Sequence, residues 1–319
     1  MHILIYGAGA VGLGIASCLL KAGATLDIIA KEHTVSLLRK EGLKRTGIFG
    51  DYYARPDQFK AHSSLKNIII NKCDYLFVCT KSFDSQQAAR DIFQYKGDLQ
   101  SKTKIILFQN GWGNTEIFAS YFPEEIIYNA RVITGFSRLK PNEVTITVHA
   151  DAIHIGSLFH KDIAGLHELC NLITRGGIPC EVNENIEKDL WAKMLYNCAL
   201  NGLGAILNVP YGILGESEYS RNIMKGVVKE IYMVIEREGY GTWWETAEDY
   251  LETFYGKLLP STAQHESSTL QDIRAKKPTE IEALNGAVIQ LAKKHQLPVP
   301  YNLFIYNMVK FIEARNLMD

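Results

Sequence analysis

Lys193, Asn197 and Asn201 recur at four-residue intervals within Leu190-Trp191-Ala192-Lys193-Met194-Leu195-Tyr196-Asn197-Cys198-Ala199-Leu200-Asn201. On a helix that spacing sets one cation and two amides in a row on a single face. Leu190, Met194 and Leu200 are apolar, so the rest of such a helix is buried. The polar row must then find partners among protein groups, water or a ligand. One use is an internal hydrogen-bond network. The other is a keto acid, whose ketone oxygen the lysine can protonate while the amides bind its polar substituents. A lysine serves as a general acid if partial burial lowers its pKa toward the working pH, and a nearby carboxylate opposes that shift. Spacing alone leaves both uses open.

A second group follows the first by about seventy residues: Glu266-Ser267-Ser268-Thr269-Leu270-Gln271-Asp272-Ile273-Arg274, then Pro278-Thr279-Glu280. Ser268 with Gln271, and Thr279 with Glu282, both read as capping boxes, which puts Glu280 in a first helical turn where the dipole favours a carboxylate. A helix N-terminus presenting Ser268 would equally bind a substrate carboxylate. Gln109-Asn110-Gly111-Trp112-Gly113 and Lys81 each end an apolar strand, where open α/β sheets bind ligands, although Asn-Gly is also ordinary turn chemistry. The nine histidines show neither H-x-x-x-H nor H-E-x-x-H spacing, so no metal site is expected.

These residues need a scaffold, and the N-terminus describes one. Gly7-Ala8-Gly9-Ala10-Val11-Gly12 follows the apolar strand Ile3-Leu4-Ile5-Tyr6 and opens an apolar helical pattern through Leu20. This is G-x-G-x-x-G with a strand before it and a helix after, the context a dinucleotide site requires. Gly7 allows the tight turn, Gly9 lets backbone approach a pyrophosphate, and Gly12 lets helix pack on strand. NAD-binding folds place an acid at the tip of the second strand to hold the ribose 2′-OH. Here Ala24–Ala30 ends at Lys31, and Asp27 lies inside the strand, too early to reach the ribose. Lys31 is either a solvated lysine or a partner for a 2′-phosphate; a cation at this tip, with Lys81 as a second, favours NADP (NADPH).

Further strands are expected at Asp74–Cys79 and Lys104–Phe108, with helices at Thr34–Glu41 and Ser85–Phe93. Continuous apolar strands alternating with helices predict a doubly wound parallel sheet, a Rossmann-type α/β domain over residues 1–184. Short strands at Val144–His149, Ile153–Gly156 and Ile178–Val182 close it, with a helix near Ala164–Thr174. Residues 185–319 read as an all-helical domain with helices at Asp189–Asn208, Arg221–Glu238, Thr246–Tyr255, Thr279–His295 and Pro300–Ala314, and a substrate cleft is expected between the domains. The 319 residues suit two domains; 47% hydrophobic and 22% charged residues are ordinary for a globular chain. A net charge of −1 argues against nucleic acid or anionic membrane as partner. Six cysteines without a C-x-x-C pair, and no basic segment ahead of Ile3–Leu20, point to reduced thiols, no targeting segment, no membrane span and a cytoplasmic location. The partner expected is a small molecule, and a homodimer is left open.

The glycine loop, Lys81, Asn110-Gly111, Leu190-Trp191-x-Lys193 with Asn197 and Asn201, and Ser267-Ser268-x-Leu270-Gln271-Asp272 with Glu280 together resemble the ketopantoate reductase (2-dehydropantoate 2-reductase) family, in order from Met1 to about Ala314. The resemblance implies NADPH-dependent reduction of a 2-oxo acid, with pantoate feeding pantothenate and coenzyme A synthesis. It implies Lys193 as the proton donor, Glu280 as the acid at the reacting end, and Asn197, Asn201 and Ser268 as substrate contacts. Asn110 falls between cofactor and substrate, and Lys31 and Lys81 at the 2′-phosphate. Tyr211 stands where many members have a substrate-side asparagine, His265 where some have another before the serine pair, and Asn201-Gly202 replaces a common Asn-Pro. Those departures fit a different branched or larger 2-oxo acid. A non-catalytic dinucleotide sensor is the rival from another class; Lys193 argues against it, since a sensor needs no proton donor.

Overall fold

The computed structural model describes residues 1–66, 68–95 and 103–317. They form two compact units, Met1–Gln109 with Asn114–Ile186, and Asn110–Gly113 with Glu187–Asp319.

The first unit is α/β. Its strands are β1 (His2–Tyr6), β2 (Thr25–Ile29), β3 (Leu43–Gly47), β4 (Tyr52–Ala54), β5 (Lys60–His62), β6 (Tyr75–Val78), β7 (Lys104–Leu107), β8 (Ile127–Arg131), β9 (Thr134–Lys140), β10 (Glu143–His149), β11 (Ile153–Gly156) and β12 (Cys180–Val182). Its helices are α1 (Ala10–Lys21), α2 (Glu32–Glu41), α3 (Ser85–Gln94), α4 (Asn114–Ala119) and α5 (Leu166–Arg175). Eight strands make one sheet in the order β12-β11-β8-β7-β6-β1-β2-β5, parallel except where β8 meets β11. Side chains alternate between two cores: Ile3 and Ile5 pack with α1 and α5 on one face, Leu4 with Ala88, Ala89 and Ile92 of α3 on the other. Chain order reverses between β1 and β6, which makes the C-terminal ends of those two strands the topological switch point where such sheets bind ligands. The expected Rossmann-type domain is present. A second sheet, β4-β3-β10-β9, was not anticipated beyond β10.

The second unit is helical: α6 (Ile186–Leu207), α7 (Tyr211–Glu216), α8 (Glu218–Arg237), α9 (Ala247–Thr253), a π-helical turn Phe254–Leu258 leading into α10 (Leu259–Ser261), α11 (Ser268–Arg274), α12 (Asn285–Lys294) and α13 (Pro300–Asn316). Met224, Val227, Val228, Ile231 and Val234 supply one fully buried face of α8. The Glu230 carboxylate accepts from the Tyr301 and Asn302 backbone amides at 2.8 and 2.9 Å, satisfying free N–H groups at the start of α13. One expectation needs correction. The helix does not begin at Thr279: Ile281–Ala283 is a 3-10 turn and α12 starts at Asn285. The Thr279 amide donates instead to Glu313 Oε1 at 2.7 Å, so the local Thr279–Glu282 box gives way to a partner 34 residues away.

Candidate active site

The first unit's site forms where β1 turns into α1. Gly7 has φ +109°, and a Cβ there would sit 2.9 Å from the backbone of Cys79 and Thr80, just beyond β6. A Cβ on Gly12 would lie 2.0 Å from the Gly7 carbonyl oxygen. Packing therefore demands both glycines. Gly9 differs: its φ is −73°, and a Cβ there would meet only the Cys79 carbonyl at 3.8 Å. The fold leaves open space in front of Gly9, the room a pyrophosphate needs to approach backbone. Gly9 caps α1 without a side chain and no acid occupies its first turn. Helix geometry leaves the amides of Ala10, Val11 and Gly12 without intrahelical acceptors. The residues present fit a dinucleotide.

Lys31 is the N-cap of α2 and exposed, just past the tip of β2; Glu32 follows it in the first helical turn, where a carboxylate suits the dipole. Asp27 is 8% exposed and committed elsewhere, its two oxygens each 2.7 Å from a ring nitrogen, of His2 and of His62. Lys81 follows β6, so the glycine loop has a lysine at the strand end on either side of it. Gln109, read from the sequence only as part of the strand-end segment, is a buried residue past β7 whose Nε2 donates to Ser85 Oγ at 2.7 Å and Thr80 Oγ1 at 3.2 Å. A polar residue closing an otherwise apolar strand was the available signal.

In the second unit, three expected residues form one hydrogen-bonded chain. Lys193 Nζ donates to Asn110 Oδ1 at 2.6 Å, and Asn110 Nδ2 donates to Glu280 Oε2 at 3.3 Å. The amide's orientation is forced, because an ammonium only donates and a carboxylate only accepts. Asn110–Gly113 belongs with the helices despite following β7 directly. Gly111 has φ +85°, and a Cβ there would be 2.4 Å from the Ala283 carbonyl oxygen, which accepts from the Trp112 amide at 2.8 Å. The Trp112 ring stacks on Trp191 at 4.3 Å between centroids and meets Tyr240 edge-on at 5.0 Å. Trp112 and Trp191 thus fix Asn110 opposite Lys193, two residues along α6 from Trp191. Glu280 is 6% exposed and directly precedes the 3-10 turn that carries Ala283.

Farther along α6, Asn197 is half-buried, and its amide makes no hydrogen bond among the described residues. Asn201 is 4% exposed; its Oδ1 accepts from the Tyr211 hydroxyl at 2.6 Å and its carbonyl from Ser267 Oγ at 3.1 Å. Here the Ser268 capping box is corrected. Ser267 is the N-cap of α11, its hydroxyl accepting from the Leu270 amide at 3.0 Å, and Ser268 is the exposed first helical residue. The same hydroxyl that caps α11 reaches α6, so Ser267 holds Ser268 near Asn201. Arg274 adds a clamp, its guanidinium donating to Asn208 Oδ1 at 2.8 and 3.1 Å. His265 is exposed but packs its ring against Tyr211 at 5.3 Å, and the partial desolvation there lowers its pKa against the opposing charge of Glu266. Lys193, Asn110 and Glu280 are joined directly; Asn197, Asn201 and Ser268 extend the polar row; Lys31, Lys81 and the glycine loop lie in the first unit.

The α/β unit carries a glycine loop between strand and helix, and the helical unit a lysine–amide–carboxylate chain. Residues 3–159 match the family model described as ketopantoate reductase PanE/ApbA, and residues 185–313 match its C-terminal model. The chain is 35% identical to the 2-dehydropantoate 2-reductase of Aquifex aeolicus over 100% of its own length and 99% of the relative's. It superposes on a PanE/ApbA family ketopantoate reductase from Ralstonia eutropha JMP134 with TM-score 0.85 and 27% identity, covering 99% and 100% of the two chains. The fold also matches D-mandelate dehydrogenase, solved with NADH and anilino(oxo)acetate, at TM-score 0.86 and 23% identity, covering 99% of each chain. The chain belongs to the ketopantoate reductase family. All six cysteines are free and buried, and among the described residues no helix is long and apolar enough to cross a membrane.

Proposed function

We propose that this chain reduces ketopantoate to pantoate with NADPH, a step toward pantothenate and coenzyme A. The observation that carries the reading is the Lys193–Asn110–Glu280 chain, which sets an ammonium at the head of a row of amides. NADPH, when bound, supplies the hydride. The chain's own residues do the rest. Amides of the glycine loop would hold the pyrophosphate, and Lys31 and Lys81 the 2′-phosphate. Lys193 delivers a proton to the ketone oxygen as it becomes an alkoxide, and Glu280, through Asn110, keeps the ammonium aimed. Asn197, Asn201 and Ser268 bind the polar substituents of the acid.

The departures from the family pattern at Tyr211 and His265 support a second reading at the level of substrate, a larger or differently branched 2-oxo acid reduced in the same way, with Tyr211 acting through Asn201 rather than by direct contact. One assay separates the two. NADPH oxidation is followed with ketopantoate and with a panel of branched, linear and aromatic 2-oxo acids. The proposal expects ketopantoate to give the highest kcat/KM. A higher value for another member replaces the substrate and keeps the mechanism, whereas NADPH binding without turnover of any member makes the chain a sensor.

A further inference from the structure

Tyr211 is buried and hydrogen-bonded to Asn201. Its side chain is 3% exposed, with its ring edge-on to Tyr196 at 5.8 Å. Its backbone amide donates to the His265 carbonyl at 3.1 Å and that of Gly212 to Ala263 at 2.8 Å, so the start of α7 is stitched to the segment preceding α11. A side-chain amide has one accepting and one donating end, and half a turn exchanges them. The Tyr211 hydroxyl, 2.6 Å from Asn201 Oδ1, occupies the accepting end, while the Asn201 nitrogen makes no hydrogen bond among the described residues. Burial raises the phenol's pKa far above its ordinary value, so the hydroxyl keeps the proton that it donates to Asn201 Oδ1. Ser267 donates to the carbonyl of the same residue, which holds the α6 backbone at Asn201.

We infer that Tyr211 is a positioning residue that locks the Asn201 amide with its nitrogen outward, making this end of the row a reader of acceptor oxygens on the 2-oxo acid. The inference rests on the function proposed above and deepens it. Tyr211 does not read the substrate by its own phenol; it acts through Asn201. A substrate carboxylate or carbonyl oxygen finds a preset donor there, and a donor group finds no acceptor.

Tyr211→Phe removes the hydroxyl and keeps the ring. With the best 2-oxo acid, KM should rise about 2–10-fold, the scale of one net hydrogen bond, and kcat should stay within about twofold. The Kd of the corresponding 2-hydroxy acid for the NADP-loaded enzyme, measured by calorimetry, should rise by the same factor. In an Asn201→Ala background the Tyr211→Phe change should have no further effect, because the two act as one unit. Asn201→Asp still accepts from Tyr211 but turns a second acceptor outward, and it should weaken binding more than Tyr211→Phe does. Unchanged KM and Kd in Tyr211→Phe, additivity with Asn201→Ala, or wild-type binding by Asn201→Asp would each overturn the inference alone. A wild type that turns over no 2-oxo acid overturns the proposed function, and this inference with it.

Discussion

Lys193→Ala lowers kcat by about 10²–10⁴-fold and leaves NADPH affinity within about twofold. The reduction leaves negative charge on the ketone oxygen, and a proton must arrive as that charge forms. In the proposed function Lys193, at the head of the row continued by Asn197 and Asn201, delivers it. Its ammonium is already held at 2.6 Å by Asn110, whose other end rests on Glu280 at 3.3 Å. Holding the donor in one geometry is what makes the transfer efficient. The glycine loop proposed to receive the cofactor belongs to the other unit, so removing Lys193 should spare NADPH binding. The check is steady-state kinetics beside a cofactor titration and a melting curve. A variant with near-normal kcat and a lowered Tm would show that Lys193 only braces the Asn110 segment.

Lys31→Glu weakens NADPH binding about tenfold or more and NADH binding much less. A charge-assisted contact to a phosphate is worth about 1.5–3 kcal/mol, and about 1.4 kcal/mol is a factor of ten. Lys31 is exposed, which places the contact toward the low end of that range, and a carboxylate in its place adds repulsion. Asp27 cannot compensate as a 2′-OH partner, since His2 and His62 hold both of its oxygens. Fluorescence titration of the two cofactors decides the matter: equal losses for both would remove Lys31 from the 2′-phosphate.

What was legible in the sequence followed from short-range rules. The glycine loop announced itself because Gly7 and Gly12 each meet a backbone limit, at the neighbouring strand and within a few residues, while Gly9 keeps the space in front of the loop open. The Lys193–Asn197–Asn201 row was legible because helical period alone sets it. What escaped depends on distant partners. β3 reads Leu-Lys-Arg-Thr-Gly, with no apolar alternation, because its buried Arg45 is satisfied by the Gly176 carbonyl at 3.1 Å and Cys18 Sγ at 3.2 Å. Thr279 and Glu282 satisfy a capping rule on paper, yet Glu313 takes the Thr279 amide and the chain spends those residues on a 3-10 turn beside Glu280. Of two adjacent serines, Ser267 caps α11 because its hydroxyl also has the Asn201 carbonyl to bond, a partner 66 residues back. Asn110 could be read as a turn residue or a ligand contact, and only the stacking of Trp112 on Trp191 reveals it as the bridge between Lys193 and Glu280.

The central claim is that this chain couples NADPH to the ketone carbon of a 2-oxo acid. Its most direct test is isotope transfer under single-turnover conditions. The enzyme is mixed with ketopantoate and NADPH deuterated at one or the other face of the nicotinamide C4, and the product is analysed by mass spectrometry and NMR. The account predicts pantoate carrying deuterium at C2 from one of the two labelled cofactors and none from the other. Bound cofactor that keeps its deuterium, with ketopantoate and every other 2-oxo acid recovered unchanged, would contradict it.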